Sequence, residues 1–275
     1  MLPIGDQNPL VHIRSAYVNH ALIAVCVVVY VLQLGADDGL VLAFALYPGL
    51  ADGSVALPAF AADTPHVVRL VTYAFLHGGF LHLAGNMVTL WVFGDNVEDA
   101  LGHRRYLLFF LLCAAAGGLA ETALSTQPDI PVIGASGAVC GVMGAYLLMH
   151  PNARVLVLVG FRVPVAVPAS VFVGFTILVN VVMALSGDVA AQVAWIAHLG
   201  GFAAGMILLP LLRHRDVALF NPAEAYPESA RFPFLNRLHF DLTPRGRSRA
   251  GQVFVALKTA AFFVLVVVLV ETFVP

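Results

Sequence analysis

Four polar residues stand in stretches of this sequence that are otherwise apolar: His82, Asn86, Ser136 and His198. A polar side chain in a bilayer-spanning segment is costly without a partner, so each is a candidate for chemistry. Ser136 lies in Ile133-Gly134-Ala135-Ser136-Gly137. Glycine on either side lets the backbone turn tightly and come close to a reacting carbonyl. A serine at a helix N-terminus also sits beside unsatisfied N–H groups at the positive end of the dipole, the donors an oxyanion requires. The same position suits an ordinary N-cap serine. His198 lies in Ala197-His198-Leu199-Gly200-Gly201. Ala197, Gly201 and Gly205 recur every four residues, as do Gly137, Gly141 and Ala145. Two such small-residue stripes permit close helix packing, and facing each other they would bring serine and imidazole into contact. Histidine is suited to accept the proton that makes serine a nucleophile. The alternative is a histidine bonded to a backbone carbonyl for packing alone.

His82 and Asn86 are four residues apart and share a helix face. Both donate hydrogen bonds without carrying charge, which suits stabilisation of a developing oxyanion better than attack. His77, in His77-Gly78-Gly79-Phe80-Leu81-His82, raises a metal reading, but no nearby cysteine or acid completes a zinc shell. An H-E-x-x-H motif is absent, and Asp95 lies near a helix end without a second span-centred aspartate. The sequence therefore points to serine chemistry, with no metal and no cofactor.

The elements that must hold these residues follow from composition. The chain has 275 residues, of which 60% are hydrophobic and 11% charged. A soluble domain carries about 25% charged residues to solvate its surface, so a soluble globule, a disordered chain and a nucleic-acid binder are excluded. The net charge of −2 says little about partners, and Cys26, Cys113 and Cys140 all lie in apolar stretches, with no disulfide framework implied. Spans of roughly 20 apolar residues are read near 16–34, 80–100, 105–125, 135–150, 164–186, 191–212 and 251–273. The expected fold is an all-α, polytopic membrane protein. A compact unit of six helices occupies residues 1–212, with a long first loop at 35–66 containing an interfacial apolar run. An Arg- and Pro-rich linker over 213–250 then leads to a seventh span within 251–275.

Charge placement orients the bundle. With the N-terminus in the cytoplasm, that side carries Arg14, Arg104, Arg105, Arg154, Arg162 and the seven arginines between 213 and 249. The opposite side carries Arg69, and Lys258 lies at the start of the last span. The second, fourth and sixth spans then run from outside to inside, and each candidate falls in the first half of its own span. Charge counting alone thus places His82, Asn86, Ser136 and His198 at one depth.

These residues, taken in order, resemble the rhomboid family of intramembrane serine proteases. The pieces that carry the resemblance are HGGFLHLAGNM from His77, FGDNVEDALG from Phe93, GASGAVCGVMGAY from Gly134 and AHLGGFAAG from Ala197. It covers roughly residues 10 to 212, and the extra helix resembles the six-plus-one variant of the family. The resemblance implies a Ser–His dyad, with Ser136 as nucleophile and His198 as general base. It assigns the oxyanion to His82, Asn86 and the backbone N–H of Ser136. Gly134, Gly137, Gly141, Gly201 and Gly205 are then structural. Glu98 matches an acid holding the cytoplasmic end of the second helix, against the plainer reading of an interfacial carboxylate near Arg104 and Arg105. Arg69 and the 35–66 segment match the lipid-embedded first loop.

Two departures stand out. Relatives often carry an aromatic four residues after the nucleophile, stacked beneath the histidine, where this chain has Cys140. The first loop also lacks a Trp-Arg pair. By resemblance, the activity is hydrolysis of peptide bonds in or near transmembrane segments of membrane proteins. Its setting is a bacterial-type inner membrane, with the active site toward the outer side and substrate entry beside the second and fifth helices. A transporter with a His/Asn path, or a catalytically silent chaperone on the same scaffold, are the rival readings.

Overall fold

The computed structural model describes residues 1–6, 8–36, 38–159, 163–186, 193–221 and 240–241. The seventh span at 251–275 and most of the 213–250 linker lie outside the described residues. Within them the chain is mostly helical. Helix α1 covers Tyr17–Gly35, and short helices α2 (Gly39–Phe44), α3 (Ala59–Ala62) and α4 (His66–Thr72) shape the first loop. Five longer helices follow: α5 (Phe80–Leu101), α6 (His103–Leu124), α7 (Ser136–Met149), α8 (Ala169–Ser186) and α9 (Trp195–Leu212). Among the described residues, α1, α6, α8 and α9 are each long and apolar enough to cross a membrane. The segment His66–Phe75 and α5 together make a broken span bent by 86° at Leu76–Gly79. The chain is an integral, multi-pass membrane protein.

Local sequence explains the breaks. Gly102, with φ of +73°, ends α5 in a conformation that glycine adopts freely, and α6 starts at the next residue. At 14 residues α7 is only about 21 Å long, shorter than a bilayer core of about 30 Å. Eleven of those residues are buried, so neighbouring helices surround α7. By contrast α1 leaves Val25, Val28, Val31, Leu32 and Leu34 exposed, an apolar face for lipid.

The fifth span is shorter than the sequence reading of 164–186. Residues Val163–Pro168 form strand β3, and the helix begins only at Ala169. The alternation Val163-Pro164-Val165-Ala166-Val167-Pro168 explains this, since prolines interrupt helices and period-two valines favour a strand. β3 pairs antiparallel with β2 (Arg154–Val159), which pairs antiparallel with β1 (Leu2–Asp6). On the other side β3 has a short parallel pairing with β4 (Phe240–Asp241). Val155, Val157, Val159, Val165 and Val167 join the main core, so the sheet packs into the helical body. Asp6 anchors β1 by accepting from Asn8, Asn96 of α5 and the Tyr146 hydroxyl of α7.

Two acids tie the bundle at the opposite end from Ser136. Glu98 is fully buried and accepts the N–H groups of Val18 (3.1 Å) and Asn19 (2.7 Å), the unsatisfied donors that open α1. His103 also contacts it, whereas Arg104 and Arg105 are not its partners. Asp99 accepts from the backbone of Val11, His12 and Ile13. Arg69, also fully buried, donates to the carbonyls of Leu42, Ala45, Ala61 and Thr64, and so staples α2 and α3 to α4.

Candidate active site

Helices α7 and α9 cross with backbone against backbone. A Cβ added at Gly201 would fall on the Gly137 carbonyl, and one at Gly205 on the Gly141 carbonyl. One at Gly141 would come within 2.5 Å of Cys113 Sγ on α6. Only hydrogen fits at these positions, and the close approach it permits places the first turns of the two helices side by side. Ser136 is the first residue of α7 and His198 the fourth of α9. Ser136 Oγ lies 2.6 Å from His198 Nε2. Ala135, not Ser136, occupies the N-cap of α7, so the N-cap alternative is set aside.

Gly134 has φ of +122°, which an L side chain rarely adopts, and a Cβ there would lie 2.6 Å from the His82 ring. This turn lets α7 start beneath the imidazole of His82. The N–H of Gly78 approaches His82 Nδ1 at 3.4 Å, which leaves Nε2 as the protonated nitrogen directed at the Gly134–Ser136 turn. One helical turn further, Asn86 is buried, and its Nδ2 has no partner among the described residues. The N–H of Ser136, first in its helix, has no intrahelical acceptor either. Three donors therefore surround the serine with spare capacity.

These groups line one cavity of about 1000 Å³. His82 and Asn86 enter it from α5, Ser136 and Cys140 from α7, and His198 from α9. Cys140 offers no π face to the imidazole. Instead the Trp195 ring meets His198 edge-on, with centroids 5.8 Å apart. Glu121 of α6 accepts the Ala197 N–H at 2.8 Å, so a carboxylate caps the first turn of the helix that carries His198. Among the described residues, no group of three or more His, Cys, Asp or Glu side chains could hold a metal ion.

Sequence reasoning passed over one residue of this site. Asn180, on α8, is buried, and its Oδ1 lies 2.6 Å from His198 Nδ1. The rule that singled out Asn86 applies equally to Asn180, an amide within an apolar span, and would have found it. Glu121, inside the span read near 105–125, lies on α6, which runs to Leu124.

The fold and site define a multi-pass membrane protein with a serine–imidazole pair in a cavity inside its helical bundle. The rhomboid domain family model matches residues 64–215, more than half of the chain, and the protein belongs to the rhomboid family. It is similar to RHOMBOID-like protein 5 of Arabidopsis thaliana, at 30% identity over 56% of this chain and 47% of that protein. It is also similar to the mitochondrial Rhomboid protein 1 of Saccharomyces cerevisiae, at 30% identity over 51% and 40%. Rhomboid protease GluP of Bacillus subtilis is 35% identical over 40% of this chain and 21% of GluP. The chain thus spans less than half the length of these relatives. Intramembrane proteolysis is an activity of the family, which also contains inactive members, so the case for this chain rests on its own residues.

Proposed function

We propose that this protein is an intramembrane serine endopeptidase that hydrolyses peptide bonds in or near transmembrane segments of membrane proteins. One observation carries the reading: the 2.6 Å contact between Ser136 Oγ and His198 Nε2, at a cavity ringed by unengaged donors. In the reaction, His198 Nε2 takes the Ser136 proton as Oγ bonds to the scissile carbonyl carbon. The oxyanion is held by the Ser136 N–H, His82 Nε2–H and Asn86 Nδ2–H. Collapse of the tetrahedral adduct expels the amine, which takes the proton from His198. Water, deprotonated by the same imidazole, then releases the new carboxylate and restores Ser136. A substrate helix must unwind locally, because an intact helix hides its carbonyls. Small, helix-breaking residues near the cut are therefore favoured.

The arginine asymmetry supports an N-terminus in the cytoplasm, the site toward the outer side, and a C-terminus outside after the seventh span. Residues 1–212 would form the catalytic unit. A bacterial-type inner membrane is the setting in which this topology is read. Reconstitution with a labelled single-span substrate tests the function. Cleavage lost in both Ser136→Ala and His198→Ala, with fluorophosphonate labelling confined to Ser136, supports it. Cleavage that survives Ser136→Ala sinks it, and transport without cleavage favours the polar-path alternative.

A further inference from the structure

We infer that Asn180 is a positioning residue for the reaction, an amide on α8 that fixes the tautomer and tilt of His198; the inference rests on the protease reading above. The hydrogen bonds around Asn180 leave no freedom in how its amide is turned. Its Nδ2 donates to the Thr176 carbonyl at 2.7 Å, and a carbonyl only accepts. Oδ1 must therefore be the atom 2.6 Å from His198 Nδ1. Oδ1 can only accept, so Nδ1 of the imidazole carries the hydrogen. In the neutral ring this leaves Nε2 with its lone pair bare, facing Ser136 Oγ at 2.6 Å. Each donor–acceptor choice follows from the one before, and the chain of bonds ends with the base in the tautomer that can take the serine proton.

The amide also suits its surroundings. As Ser136 loses its proton, His198 becomes an imidazolium, and its Nδ1–H bond to Asn180 becomes charge-assisted and stronger. The stabilisation thus grows toward the transition state, where it accelerates reaction. A carboxylate there would add a buried charge in the apolar bundle, whereas an amide orients the ring without one. The aromatic face missing at Cys140 is replaced by two restraints: Asn180 at Nδ1 and the Trp195 edge. Because Asn180 belongs to α8 and His198 to α9, the position of α8 and the orientation of the base are linked. Among the described residues, the titratable groups facing this imidazole include His82 on α5, Cys140 on α7 and Glu121, which holds the adjacent Ala197 N–H from α6.

The test uses the full chain in bilayers, with a labelled single-span substrate and Asn180→Leu and Asn180→Asp variants. Leucine keeps the size and removes the acceptor, and should lower kcat about 100-fold with KM within about twofold. Aspartate keeps an acceptor and should recover most of that turnover. It should also move the acid limb of the pH–rate profile upward by about one unit, since a carboxylate favours the imidazolium. Turnover by Asn180→Leu within about twofold of the parent overturns the inference. So does an acid limb in Asn180→Asp that stays where the parent's lies, which also decides the matter if the leucine variant fails to fold. The ¹⁵N resonances of His198, assigned by their loss in His198→Gln, give a readout independent of cleavage. Nδ1 should be protonated in the parent and mixed with the other tautomer in Asn180→Leu. If Ser136→Ala still cleaves while these resonances behave as stated, the protease reading fails and the positioning of the ring stands.

Discussion

The imidazole of His198 is held from two sides by quite different means. On the α7 side the grip is steric: Gly137, Gly141, Gly201 and Gly205 let two backbones touch, and Ser136 arrives at Nε2 as a consequence of that crossing. On the α8 side the grip is polar. α8 leaves Leu178, Val182 and Leu185 exposed and reaches His198 through the buried Asn180 amide. A crossing of glycines is rigid because any added carbon collides with a carbonyl. A hydrogen bond from a lipid-facing helix is adjustable, since a small displacement of α8 changes it. The serine therefore sits on the stiff arm and the amide that meets Nδ1 on the compliant one.

The largest effect comes from the chemistry on the stiff arm. Ser136→Ala should lower kcat/KM for a reconstituted substrate by about 10⁴-fold or more and move the thermal midpoint only slightly, because the substitution removes the single hydrogen bond to His198. Next, Gly201→Val should destabilise the fold by about 3 kcal/mol, measured by denaturant titration in detergent, since its Cβ lands on the Gly137 carbonyl. Gly134→Ala should cost about 1–2 kcal/mol through its positive φ, and should also reduce turnover by displacing His82. A substitution on the outer face of α8 should do far less. Leu185, 82% exposed, replaced by Ala should leave stability within about 0.5 kcal/mol and leave kcat unchanged. If Gly201→Val is as mild as Leu185→Ala, the contrast between the two arms is wrong.

The smallest effect lies at the far end of the bundle. His12 places Nε2 2.9 Å from Asp216 and Nδ1 3.2 Å from Asp99, joining the N-terminal segment to the exit of α9. The hydrogen bond to Asp216 raises the His12 pKa above its ordinary 6.5, with Asp99 adding to it against some burial. That contribution is complete below about pH 6.5 and is lost as pH rises through the raised value. Asp216, in turn, is held below its ordinary 3.8 by His12, so its share is present above that value and fades only in stronger acid. The thermal midpoint should fall slightly from pH 6 to pH 9 in the parent and show no such step in His12→Gln. Both groups are largely solvated, which keeps the effect small.

Much of the site was legible in the sequence because a bilayer makes polarity conspicuous. Ser136, His198, His82 and Asn86 could be picked out as misfits in apolar runs, and four-residue glycine spacing pointed to the helices that meet. Asn180 followed the same logic but was passed over, since a lone amide in a span has no motif around it. Glu121 was not singled out, since a carboxylate three residues from a helix end reads as an interfacial group. The strands at Leu2–Asp6 and Arg154–Val159 were not anticipated. Both lie outside the spans read from the sequence, whereas the valines of Val163–Pro168 read as the start of the fifth span until their partner strand is known.

By itself the sequence determined the membrane class and most of the helices, and it marked four polar side chains as misfits in apolar runs, because hydrophobicity acts locally along a chain. Tertiary structure alone decided which nitrogen of His198 faces which neighbour. That choice depends on Asn180 and Thr176 of α8 meeting a ring on α9 and a serine on α7, three elements whose distances to one another no local pattern encodes.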